Sequence, residues 1–131
     1  MFIMQNDYKN NTVGGLMKFF VFGNNEKDIN YLIKELSNYY RINSFTTTNL
    51  DEVNEVVKKN KSFIIKSSNN YEELCNLSEI IIYLDYSKKN VINEKINILL
   101  KKHIRKGIII KSKKDLKKYL KSVYESDRYI I

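Results

Sequence analysis

From Gly23 the chain reads Gly-Asn-Asn-Glu-Lys-Asp-Ile-Asn, ending at Asn30. A phosphate-binding loop of the G-x-x-x-x-G-K-[ST] type has this length. Its glycines let backbone amides curl around phosphates, its lysine reaches the β and γ oxygens, and its hydroxyl holds magnesium. Here the second glycine is replaced by Asp28, the lysine by Ile29 and the hydroxyl by Asn30. Glu26 and Asp28 add negative charge where an anion would otherwise use the field of a helix start. The loop is therefore read as a degenerate phosphate site that repels a triphosphate. A plainer reading makes Gly23 a turn and Asn25 a helix cap.

Other reactive side chains are sparse. Cys75 has no basic neighbour in sequence to lower its pKa and reads as a small core residue. His103 falls on an apolar stripe, as a satisfied, half-buried residue rather than a general base. Tyr39 and Tyr40 could stack on bases, but at a helix end they read as packing residues. Lys66 and Asp85 close apolar runs and are candidates for a ligand site at strand ends, Asp85 being equally able to cap the next helix. No metal-ligand spacing is present, and no cofactor is called for.

The elements that carry these residues alternate. KFFVFG (18–23) is an apolar run ended by glycine, and Ile29, Leu32, Ile33 and Leu36 then recur at helical spacing. RINSFTTT (41–48) precedes a helix over 49–60, with Asn49 as its cap and Glu52 at the third helical position. SFIIKSS (62–68) precedes a short helix over 71–78, and EIIIYLDYS (79–87) a helix over 88–107 stopped by Gly107. GIIIKS (107–112) and a helix over 113–126 complete the fifth pair. Such alternation predicts a three-layer α/β sandwich with a five-stranded, mainly parallel sheet. Runs such as FFVF and IIIYL suit strands buried on both faces.

Of 131 residues, 71 are Ile, Lys, Asn, Tyr or Phe, the signature of AT-rich codons and of a low-GC bacterium or its mobile element. One cysteine gives no internal disulfide, and no apolar run suffices to cross a bilayer, so a cytoplasmic protein without membrane contact is expected. Residues 1–16 read as a disordered or non-native extension before a single domain over 17–131. Gly14 and Gly15 could encode a ribosome-binding sequence ahead of a start at Met17.

The net charge of +8 is uneven: residues 1–87 hold 9 basic and 11 acidic side chains, residues 88–121 hold 13 and 2. Lys102 and Arg105 avoid one apolar stripe. Lys114, Lys117, Lys118 and Lys121 avoid another, made by Leu116, Tyr119, Leu120 and Val123. This is an electrostatic footprint for nucleic acid, another polyanion or an acidic protein, or else a pair of solvated helix faces. Base reading is not implied, since arginines are few and no reading motif is present.

From Met17 to about Val123 the chain resembles the topology modulation proteins, a branch of the adenylate-kinase-like P-loop kinases. MKFFVFG and YLIKEL match that family's "MKIMIIG" and "LAKKL" at the same spacing. FIIKSSNNY matches "WIIDGNY", LSEIIIYLDYSK matches "ADQIIFLDFPR", and KGIIIKSKKDLKKYLKSV resembles the family's end. The resemblance implies the kinase scaffold but not its chemistry. The acid of the third-strand motif is Lys66 here, its glycine is Ser67, and the arginine after the fourth strand corresponds to Lys88. Only residues 88–106 stand where the family carries a basic lid. Phosphoryl transfer rests on positioning and charge neutralisation, so these losses point to a non-catalytic binding or regulatory module. The runner-up is a small enzyme that binds nucleotide or phosphate near Gly23, Lys66 and Asp85.

Overall fold

Along the central strand Phe19 and Val21 face one side of a sheet while Phe20 and Phe22 face the other, and all four are buried. This is the period of an extended chain covered on both faces. The computed structural model describes residues 3–4, 17–87 and 94–126. In chain order the elements are β1 Ile3–Met4, β2 Lys18–Gly23, α1 Glu26–Tyr40, β3 Ser44–Thr47, α2 Leu50–Lys59 and β4 Phe63–Ser67. They continue as α3 Tyr71–Leu77, β5 Ile80–Leu84, α4 Glu94–Lys102, β6 Gly107–Ile110 and α5 Lys113–Ser126.

The sheet order is β1-β3-β4-β2-β5-β6. The five strands from β2 to β6 are parallel, with Phe20 beside Ile65 on one side and Ile81 on the other. Ile3–Met4 adds an antiparallel pair to β3, Ile3 opposite Thr46. The rest of residues 1–16, and with it most of the expected extension ahead of Met17, lies outside the described residues. Helices α1 and α5 cover one face, packing Leu32, Leu36, Leu116 and Leu120 on Phe19, Val21 and Ile82. Helices α2, α3 and α4 cover the other through Val53, Val56, Leu74 and Leu100 on Phe20, Phe63 and Ile81. The fold is the expected three-layer α/β sandwich.

The alternation fixes element types well, and the ends less so. β3 spans Ser44–Thr47 rather than 41–48, because α1 closes through Arg41 in the left-handed region at φ 55° and the Ile42 N–H returns to the Ser37 carbonyl at 3.2 Å. α4 ends at Lys102, short of the stop expected at Gly107. A turn through His103 and Lys106 intervenes, and Gly107 instead opens β6. Residues 88–93, the expected start of that helix and the place of Lys88, are outside the described residues. Among the described residues no helix is long and apolar enough to cross a membrane.

The path out of β2 passes β4 to reach β3, whereas the path out of β4 passes β2 to reach β5. Strand order thus reverses beside β2, and the carboxyl end of β2 at Gly23 is the switch point where ligands of open α/β sheets bind.

Candidate functional site

Gly23 adopts φ +144°, and a Cβ there would lie 1.9 Å from the Leu84 carbonyl oxygen. The Asn24 N–H donates to that same carbonyl at 2.9 Å. The glycine therefore serves a close backbone approach between β2 and β5, which commits the Asn24 amide to β5. Asn25 occupies the N-cap position, but its side chain makes no cap bond. Its Oδ1 accepts from the Tyr86 N–H at 3.1 Å, so the cap expected of Asn25 is replaced by a tie to the segment after β5.

The three degenerate loop positions have separate fates. Ile29 is buried in the layer beneath α1. Asp28 accepts from the Tyr86 hydroxyl at 2.7 Å. Asn30 Oδ1 accepts from the Lys66 ammonium at 2.9 Å, and Glu26 forms an ion pair with the same ammonium. The carboxylates that make the loop unsuited to phosphate are thus matched internally, one by a lysine at the end of β4 and one by a tyrosine after β5. The sequence reading missed both partners. They stand 40 and 58 residues away from Glu26 and Asp28, and only the sheet order brings them near.

A cleft of about 240 Å³ opens above the ends of β2, β3 and β4, walled by Phe22, Ile29, Thr47, Lys66, Ser67 and Tyr71. Thr47 is 2% exposed, and its hydroxyl has no hydrogen-bond partner. Lys66 and Gly23 belong to this cleft, but Asp85 does not. Asp85 is 9% exposed, with Oδ1 accepting from the Ser87 N–H at 2.9 Å and Oδ2 from the Tyr83 hydroxyl at 2.8 Å. Burial pushes this carboxyl up, but the bonds from Ser87, Tyr83 and the Asn24 side chain outweigh it and hold it below the usual carboxylate value. The paired candidates Lys66 and Asp85 therefore occupy different environments, and Asp85 is consumed in its own turn.

Neither remaining reactive side chain is activated. Burial pushes the Cys75 thiol up to about 11, although the structure supplies the basic neighbour that the sequence lacked: Lys106, whose ammonium lies 3.4 Å from the Cys75 carbonyl. His103 is half-buried as expected, but its Nε2 has no partner, which corrects the expectation of a satisfied side chain. Burial first, then Lys106 and Lys102, push its pKa down. Tyr39 and Tyr40 pack edge to face at 5.0 Å, and Tyr40 meets Phe19 at 5.7 Å, in keeping with a packing role. No group of three or more metal-ligating side chains occurs among the described residues.

The basic third divides between layers. Lys102 closes α4, on the face opposite α5, and approaches Glu72 at 3.3 Å, while Arg105 is exposed in the turn that leads to β6. Lys114, Lys117, Lys118 and Lys121 are exposed on α5, with Leu116, Leu120 and Val123 buried beneath them. Lys121 stands 3.8 Å from Glu125. Grouping the six by sequence proximity joined side chains that the crossovers send to opposite faces.

No family model, curated protein or solved structure matches this chain.

Proposed function

We propose that the chain is a non-catalytic binding module on a degenerate P-loop-kinase scaffold, related to the topology modulation proteins, that engages a polyanion, nucleic acid foremost, through the lysine face of α5. The observation that carries this reading is the placement of Lys114, Lys117, Lys118 and Lys121, all exposed on the side of α5 turned away from its buried leucines. At 1.5 Å rise per residue these cations span roughly 10 Å, a length over which duplex DNA presents several phosphates. The internal matching of Glu26 by Lys66 and of Asp28 by Tyr86 supports the loss of triphosphate binding.

The test is a low-salt gel shift with duplex DNA and with RNA. The unmutated protein retards both with little sequence preference, and the variant Lys117→Glu, Lys118→Glu, Lys121→Glu retards neither. Absence of retardation, or equal retardation by the variant, overturns the reading.

A second reading is favoured by the cleft above β2, β3 and β4, where Lys66 stands near an unpartnered Thr47 hydroxyl. It is a small enzyme that holds nucleotide or phosphate at the strand ends. Thermal shift with ATP, GTP and inorganic phosphate separates the two, because a ligand at a hundred times its Kd stabilises by about 2.7 kcal/mol. A shift that Lys66→Met removes supports the second reading, and no shift with any of the three removes it.

A further inference from the structure

β6 ends the sheet, and its inner side is taken by β5. The Lys106 carbonyl accepts from the Ile81 N–H and the Ile110 carbonyl from the Asp85 N–H, each at 3.0 Å. Successive residues of a strand direct their backbone groups to opposite sides, so the groups of Gly107 and Ile109 point away from β5. The Gly107 N–H is taken by the His103 carbonyl at 3.1 Å. The Gly107 carbonyl and both backbone groups of Ile109 are left facing outward, on an edge that no described residue pairs. On the opposite edge the chain itself supplies an added strand, Ile3–Met4 on β3.

The side chains around this open ladder are of two kinds. Ile109 on the strand is 43% exposed, and Ile104, in the turn that leads into it, is 74% exposed. Arg105, Lys111 and Lys113 are exposed before and after it. The nearest acid in sequence, Asp115 at the start of α5, is already engaged at the upper end of this edge, its Oδ2 accepting from the Lys111 N–H at 3.4 Å. Two copies pairing antiparallel through β6 would set these cations against one another, and charges of this kind block self-pairing of sheet edges. An acidic strand meets the same cations favourably.

We propose that the outer edge of β6 accepts an extended acidic segment of a partner protein as an added strand, bonded to Gly107 and Ile109, with its apolar side chains against Ile109 and Ile104 and its carboxylates toward Arg105 and Lys111. In strand addition the main chain supplies affinity and the alternate side chains supply selectivity. This surface is distinct from the lysine face of α5 and does not depend on nucleic-acid binding there.

The probe is a short synthetic peptide alternating glutamate with valine, titrated into isotope-labelled protein with amide exchange read residue by residue. The Ile109 amide becomes protected, and Ile109→Pro weakens peptide binding by about fivefold to tenfold, the loss of one main-chain bond. Proline is tolerated at an edge position whose N–H faces away from the sheet, so the variant keeps its fold. Should it unfold instead, a peptide N-methylated on alternate amides tests the same bonds on the unmutated protein and binds at least as weakly. The variant Lys117→Glu, Lys118→Glu, Lys121→Glu retains peptide-induced protection of Ile109, which separates this surface from the polyanion face. Equal binding of the methylated peptide, an unchanged Ile109 amide, protection of that amide by duplex DNA instead, or a concentration-dependent homodimer that Ile109→Pro abolishes would each overturn the proposal.

Discussion

At Gly23 a methyl group would overlap the Leu84 carbonyl, and the backbone sits where only glycine is unstrained. Gly23→Ala therefore costs about 2–4 kcal/mol in a urea titration, the sum of strain and displacement. Lys66→Met behaves differently. Its partner Glu26 is 64% exposed in the side chain, and pairs open to water contribute at most about 1 kcal/mol. The same titration shows a loss within that limit. Asp85 carries the acid sensitivity of the sheet edge. Its folded pKa is depressed, so the unfolded chain binds the proton more readily. The stabilisation is present above the unfolded value of about 4 and is lost as pH falls through the lower folded value. Asp85→Asn flattens that acid limb and costs about 1–2 kcal/mol at neutral pH, read from urea midpoints across an acid series. Local spacing made some residues legible: Asn49 caps α2 by accepting from the Glu52 N–H at 2.9 Å, and Ile29 is buried as its stripe implies. Asn25 was not legible, because the donor that claims its side chain is 61 residues along the chain.

Element order was the most readable level, since each strand run and each helical stripe is a local pattern. α5 begins at Lys113 and ends at Ser126 as the spacing of Leu116, Leu120 and Val123 requires. Its N-cap is Ser112, whose hydroxyl accepts from the Asp115 N–H at 3.1 Å. The order of strands was not readable, because right-handed crossovers constrain which face a helix takes only once the order is known. For that reason Lys102 and Arg105 were grouped with the lysines of α5, while the sheet places α4 and α5 on opposite faces. The two sides of α5 predict opposite responses. Leu120→Ala opens a void beneath the helix and costs about 2–5 kcal/mol. Each of Lys117→Glu, Lys118→Glu and Lys121→Glu changes stability by no more than about 0.5 kcal/mol. Urea unfolding of the four single variants checks both, and equal costs on the two sides would contradict the packing of α5 on α1.

For the whole molecule, charge and chemistry separate. The acids before residue 88 hold together the switch point, with Glu26 on Lys66, Asp28 on Tyr86 and Asp85 in its own turn, while the cations after it stand mostly in water. A long-range field from exposed lysines is felt through phosphate contacts, and each phosphate neutralised on duplex DNA contributes about −0.9 to the slope of log affinity against log salt. The measurement that tests the central claim most directly is this slope, taken by fluorescence anisotropy on one DNA duplex across a salt series. With the four lysines of α5 engaged, the slope is about −3 to −4, and in the variant Lys117→Glu, Lys118→Glu, Lys121→Glu it collapses toward zero. A slope near zero in the unmutated protein, or one that the variant leaves unchanged, would contradict the account.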